Sequence, residues 1–230
     1  MPIQEKLTTK AEKVQKHVAY SQDELWYGVK FDMGKNGGYY DGTRTGNLTF
    51  HKELPIQSKM RGCTIDDKDD SIKYLKDTDW KHYADGDDVA DPQGSHLNFF
   101  VEIPEHYRLF LQTPDNNVEI RISEYNLPGY THVEKKYIGA YEATTKSEYS
   151  AEEEAAAVDT GTEVECLWSR PNWQIPVVTK TRQQFQQLAR KTPDKEQPEQ
   201  KRSNNWNMYT YDAHTDMTWL FVVEYATLYS

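Results

Sequence analysis

Residues Leu97 to Thr144, LNFFVEIPEHYRLFLQTPDNNVEIRISEYNLPGYTHVEKKYIGAYEAT, constrain the fold of this chain more than any other stretch. Short alternating runs, turn formers and aromatics follow one another there without a helical period. From Val118 the alternation puts Val118, Ile120 and Ile122 on one side and Glu119, Arg121 and Ser123 on the other, which predicts a strand buried on one face. Ile120→Asp should then abolish folding and Glu119→Lys should be nearly silent. Tyr107, Leu109 and Leu111 alternate in the same way, and Thr113 to Asn117 supplies turn formers between the two runs, so the pair reads as a β-hairpin. Leu97 to Ile103 reads as a strand stopped at Pro104, and Tyr137 to Glu142 as a fourth strand. Leu127-Pro128-Gly129 suits a type II turn. The whole stretch is expected to form one central sheet.

At 230 residues the chain is long enough to bury a core. A formal net charge of −10 argues against nucleic-acid binding, because neutralising phosphates takes clustered Lys and Arg. The longest strongly apolar run, near Trp219 to Val223, is too short for a membrane span, and residues 1–20 carry charges where a signal peptide needs an apolar core. A soluble protein made in the cytosol is expected. The two cysteines, Cys63 and Cys166, read as buried thiols rather than a required disulfide. Aromatics make up 13% of the chain, 16 of them Tyr, which points to extensive protein or glycan contacts.

Leu7, Ala11, Val14 and Val18 form a heptad seam on an otherwise polar segment. Two heptads are too few to stand alone, so this helix should associate with copies of itself or dock on another protein. Trp26 to Phe31 predicts a strand, Met33 to Gly46 a hairpin connection, and Asn47 to His51 a run with Leu48 and Phe50 pointing inward. Leu54 to Ile65 reads as extended. The acidic tract from Asp66 to Asp91 lacks the spacing and closing Glu of a calcium loop, and reads as solvated turns around one short strand at Ser71 to Leu75. Ser150 to Val158 carries a capping-box pattern and an alanine run. Val177 to Arg190 predicts a second helix, with Thr181 and Gln184 as its capping box and Phe185, Leu188 and Ala189 on its buried face. A final helix, apolar on nearly every side from Trp219, is expected within Trp206 to Ser230.

The seven histidines form no i, i+4 pair, neither cysteine has zinc spacing, and no G-x-S-x-G occurs. No cofactor or metal is expected. Glu102 with Glu105, or Glu124 with Glu142, would be the paired carboxylates of a polysaccharide hydrolase. Trp80, Trp168 and Trp173 would be the stacking platforms of a carbohydrate-binding module.

In order along the chain, the segments YGVKF, LPIQSKMRGC, VEIPEHYRLF, EIRISEYNLPGY, YIGAYEAT and WLFVVEYAT are similar to those of fibre and receptor-binding proteins of tailed bacteriophages. The gut Bacteroidetes phage type is the nearest in pattern. The resemblance covers about residues 26–145 and 168–230 and implies a C-type-lectin-like domain of the formylglycine-generating-enzyme type. In it Tyr137 to Thr144 would be an early strand, with Thr181 to Arg190 and Tyr209 to Thr227 as helices packed on its sheet. The fold expected is α+β, with an N-terminal attachment or oligomerisation helix over 1–22, a β-rich region with acidic loops over 23–96, and the lectin-like domain over 97–230. Family members continue past the EYAT helix into a ligand-reading segment, so attachment and scaffolding are the firmer expectations for a chain given as far as Ser230. The function implied is a non-enzymatic virion structural protein, a head- or tail-associated fibre component acting in assembly and host-surface adhesion. Its partners would be other virion proteins, further copies of itself, a trimer by preference, and a host-surface glycan, with no nucleic acid and no membrane insertion.

Overall fold

The computed structural model describes residues 24–34, 41–90, 97–144, 167, 169–170, 176, 180–191 and 202–228. The described residues form a mixed α/β protein with two antiparallel five-stranded sheets and few helices. It forms two compact units, each assembled from separate parts of the sequence.

The first unit contains the described residues within 1–59, 104–135 and 214–230. Its strands are β1 (Tyr27–Asp32), β2 (Thr43–Gly46), β7 (His106–Gln112), β8 (Asn117–Ser123) and β9 (Thr131–Val133), in the spatial order β2-β1-β8-β7-β9. The hairpin expected from Tyr107 to Ile122 is the β7–β8 pair, closed where the Thr113 N–H donates to the Asn117 carbonyl at 2.9 Å. The turn at Leu127 is type II as expected: Gly129 takes φ +83°, and the Tyr130 N–H donates to the Leu127 carbonyl at 3.1 Å. In β1, Tyr27, Val29 and Phe31 alternate inward and pair in register with Ile122, Ile120 and Val118 of β8.

β8 departs from the one-sided reading. Its register with β7 sets Arg108, Phe110 and Gln112 beside Ile122, Ile120 and Val118, and sets Tyr107, Leu109 and Leu111 beside Ser123, Arg121 and Glu119. The apolar rows of the two strands therefore lie on opposite faces of the sheet. Glu119 is only 7% exposed and Ser123 1%, so β8 is covered on both sides. Glu119 is held by Arg121 at 2.7 Å, the Arg121 guanidinium lies 3.9 Å from the centre of the Trp26 ring, and the Ser123 hydroxyl donates to the Leu25 carbonyl at 2.7 Å.

The inward run expected at Asn47 to His51 is also corrected. Phe50–Glu53 is one turn of helix, α1, ended by Leu54 at φ +45°, and Leu48 is 63% exposed. Phe50 does pack, edge-on against Tyr27 at 6.1 Å. Leu54 to Ile65 holds a 3₁₀ turn, Gln57–Lys59, before its strand.

The second unit contains the described residues within 60–103 and 136–213. Its strands are β3 (Arg61–Asp66), β4 (Ile72–Lys76), β5 (Asp79–Tyr83), β6 (Leu97–Ile103) and β10 (Lys136–Gly139), ordered β10-β6-β3-β4-β5. The β6 bounds are those the sequence predicted; β10 is shorter than Tyr137 to Glu142. Leu97 to Thr144 is thus not one sheet. β6 and β10 belong to this sheet and β7, β8 and β9 to the other, with the change at Pro104, which has no N–H to continue a ladder.

The acidic tract holds two strands, not one, and its carboxylates are used locally. Asp66, Asp69, Asp79 and Asp85 each accept the backbone N–H two residues on, at 2.8 to 3.1 Å, fixing the turns. Asp67 is no solvated turn residue: with Arg202 it forms an ion pair at 2.8 Å in which the side chains are 0% and 1% exposed. Helix α2, Arg182–Ala189, begins at the predicted capping box, Thr181 with Gln184, later than the expected start at Val177. Its Leu188 and Ala189 pack with Leu167, and Ala143 and Phe185 lie against them.

Helix α3, Tyr211–Tyr225, starts later than expected, leaving Met208 and Tyr209 outside it. Leu220, Val222 and Val223 are buried, whereas Tyr225 is exposed, so the helix is not enclosed on every side. From His214 onward it belongs to the first unit, where Asp216 pairs with Arg108 and Trp219 packs on Phe110 at 5.5 Å. Ala226, at φ +55°, ends it in the left-handed conformation, its N–H donating to the Val222 carbonyl at 2.9 Å. The segment 1–23 and the helix expected at Ser150 to Val158 lie outside the described residues.

Candidate functional site

The second unit carries an aromatic cleft of about 810 Å³, lined by Trp80, His82, Asp79, Asp88, Phe99 and Tyr141 together with Thr78, Lys81, Val89 and Ala90. That volume lies within the range of roughly 300–1,000 Å³ usual for small-molecule sites. Phe99 ties the cleft to a buried cluster with Leu75 and Tyr83, against which Trp80, Val89 and Ala140 are packed. Trp80 reaches across β4 to lie over Gly62 of β3, where the missing side chain leaves room for the indole: a Cβ there would stand 2.5 Å from the ring. Phe99 meets Tyr141 edge to face, the ring centres 6.1 Å apart at 80°.

Tyr141 is set by Ser169. The Ser169 hydroxyl donates to the Phe99 carbonyl at 2.7 Å and accepts the Tyr141 N–H at 3.0 Å, while the Ser169 N–H reaches the Asn98 side chain at 3.0 Å. Burial pushes the Tyr141 phenol above its ordinary value, so it is a hydroxyl donor and acceptor at neutral pH.

The polar rim is built on β5. His82 faces Asp79 through Nδ1 at 2.8 Å and Asp88 through Nε2 at 3.0 Å. Backbone bonds hold the facing segment: the Val89 N–H donates to the Lys81 carbonyl and the Tyr83 N–H to the Asp87 carbonyl, both at 2.8 Å. The Lys81 N–H, and after it His82, holds the Asp79 carboxyl below its ordinary value. It is therefore a carboxylate acceptor at neutral pH.

Of the residues singled out in the sequence, Trp80 is at this cleft. Trp168, Trp173, Leu7, Ala11, Val14 and Val18 lie outside the described residues. Glu102 and Glu105 fall in different units, as do Glu124 and Glu142. Glu102 is tied to Tyr74, Tyr137 and Arg61, Glu105 to His132, and Glu124 to Lys59. Cys63 is a free, buried thiol that burial and the neighbouring Glu102 push up to about 12. Among the described residues no group of three or more His, Cys, Asp or Glu side chains is placed to hold a metal ion.

Sequence reasoning missed Tyr141, read as the continuation of a strand, and Asp79, His82 and Asp88, read as solvated turns. The signal present was local: Trp80 and His82 stand two apart within an Asp-rich run, as an aromatic and a polar side chain would on one face of a strand. Comparison with known proteins gives no match, whether with protein-family profiles, with curated proteins or with solved structures.

Proposed function

We propose that this chain is a non-enzymatic attachment protein that holds a surface glycan in the Trp80 cleft. The observation that carries the reading is the pairing of an aromatic wall, Trp80 with Tyr141, with the carboxylate rim of Asp79 and Asp88 in one cleft. A sugar ring has two chemically different sides. Its C–H face is apolar and weakly positive, and suits the negative face of an indole or phenol. Its hydroxyls are donors, and they find charge-assisted acceptors in carboxylates. The cleft offers both kinds of surface at once.

The setting proposed is the one the sequence resemblance implies. The chain is a bacteriophage virion component, fibre-like and head- or tail-associated, with a C-type-lectin-like body and partners among virion proteins and copies of itself. The bacterial host cytoplasm would be its place of synthesis.

The test is binding of the full chain and of Trp80→Ala to an array of bacterial surface glycans. Retention by the native chain, lost in a variant with an unchanged far-ultraviolet spectrum, is the expected result. Absence of binding, or equal binding by both proteins, overturns the reading, and shortening of a bound glycan would make the protein an enzyme instead. Proteomic analysis of purified phage particles tests the setting separately.

A further inference from the structure

We infer that the ligand of the Trp80 cleft is an uncharged saccharide, and that the cleft rejects glycans carrying carboxylate, sulfate or phosphate groups. The inference rests on the glycan reading above and deepens it by naming the ligand class.

The charges of the cleft carry the argument. Asp79 and Asp88 both line it, one on each ring nitrogen of His82. Asp79 is held ionised by the Lys81 N–H and by His82. The Asp88 side chain is 89% exposed, so its carboxylate stands at the mouth rather than in the wall. Beyond the cleft, Lys73 is engaged by Asp85 at 3.1 Å and Asp87 at 2.8 Å, so the nearest turn of the acidic tract uses its cation internally. An anionic sugar entering here would set its charge against two carboxylates, with His82 and Lys81 as the basic residues among the described lining and Lys76 acting on Asp79 from outside it, on a chain of net charge −10. Like charges brought together oppose binding, most strongly at low salt. Hydroxyl groups meet no such opposition, since the same two carboxylates accept their hydrogen bonds.

The cleft is also poor in what anion recognition uses. Planar bidentate capture of a carboxylate or phosphate is the work of arginine, and no arginine is among the residues that line it. Of the second unit's arginines, Arg190 donates to the Trp206 carbonyl at 3.4 Å. Arg61 stacks on Tyr74 and faces Glu102, Arg170 donates to the Leu97 carbonyl, and Arg202 is buried with Asp67.

The experiment measures binding of the full chain to matched oligosaccharides: neutral hexose-based probes against probes bearing uronic or sialic acid. The neutral probes are expected to bind at least about tenfold more tightly at low salt. Raising the salt concentration should narrow that gap by screening the repulsion, with little change for the neutral probes. Asp88→Asn should narrow it too, by raising affinity for the acidic probes. Acidic probes that bind as well as the neutral ones, with binding abolished by Trp80→Ala, overturn this inference and leave the glycan cleft standing. Binding of no probe, or binding that ignores Trp80→Ala, overturns the glycan reading and this inference with it.

Discussion

The indole of Trp80 covers Gly62 so closely that a methyl group on that glycine would stand 2.5 Å from the ring. Gly62 has no unusual backbone angle, so alanine suits the strand, and the nearest atoms a methyl group would meet are those of the indole. Gly62→Ala should therefore push Trp80 out of its place at the cleft. The expected cost is about 1–3 kcal/mol of stability by overpacking, together with a loss of ligand affinity similar to that of Trp80→Ala. Combining Gly62→Ala with Trp80→Phe removes the larger ring from the clash, and should recover most of the stability but not the binding. Denaturant unfolding and glycan titration of the three variants check both parts. A stable Gly62→Ala that binds normally would show that the indole can shift without consequence.

Asp67 and Arg202 make the most enclosed ion pair among the described residues. Arg202 also donates to the Leu167 and Ala189 carbonyls at 2.6 and 3.3 Å, so the pair joins the turn after β3, the end of α2 and the segment leading to α3. Removing one partner strands a charge in the core. Arg202→Ala is expected to cost about 3–5 kcal/mol, whereas Asp67→Leu with Arg202→Met should cost much less, because neither charge is then left behind. Urea midpoints of the single and double variants distinguish the two cases.

How much of this was legible in the sequence follows the range of the interaction. The β7–β8 hairpin, the type II turn at Leu127 and the capping box of α2 could be read because each depends on residues a few positions apart. The division of Leu97 to Thr144 between two sheets could not. Alternation in β6 shows that it is a strand, but nothing in it says that its neighbours are β3 and β10 rather than β7. The same limit concealed the burial of Glu119, which depends on Tyr107, Leu109 and Leu111 sharing its face of the sheet, a matter of register between strands. At the cleft, Trp80 stood out as an aromatic in a polar tract, whereas Tyr141 gains its place through Ser169, more than twenty residues away.

Glu119→Lys, silent if β8 met solvent on that side, is now expected to destabilise. It would set a cation beside Lys30, its partner in register on β1, and beside Arg121, whose hold on Glu119 at 2.7 Å it would abolish. A cost of about 2–4 kcal/mol is expected, from a broken and largely buried pair. Glu119→Gln keeps a hydrogen-bond acceptor for Arg121 and should cost less. Ile120→Asp places a carboxylate in the core between Val29 and Phe110, and should still prevent folding. Thermal melts of the three proteins give the order.

Tyr74 and Tyr137 should give the protein a defined alkaline limit. They come from β4 and β10, on either side of β3 and β6, and both donate to Oε2 of Glu102, at 2.6 and 2.9 Å. The hydrogen bond to Glu102 is the main cause that pushes Tyr74 up to about 12; for Tyr137, also pushed up to about 12, burial comes first and the Glu102 bond second. The ordinary value is 10.0. Below it both folded and unfolded chains keep these protons, and the stabilisation is fully present. Between pH 10 and about 12 the unfolded chain gives them up while the folded one holds them, so stability falls as pH rises through this window. Because the two phenols share one carboxylate, they should titrate as a coupled pair rather than singly. Glu102→Gln removes the charge that holds both protons while leaving an amide oxygen to accept a hydrogen bond. Phenolate absorbance of that variant should rise at lower pH than in the native chain, and its denaturant midpoint should fall less steeply above pH 10. Superimposable titrations of the two proteins would show that burial alone, not Glu102, holds these phenols neutral.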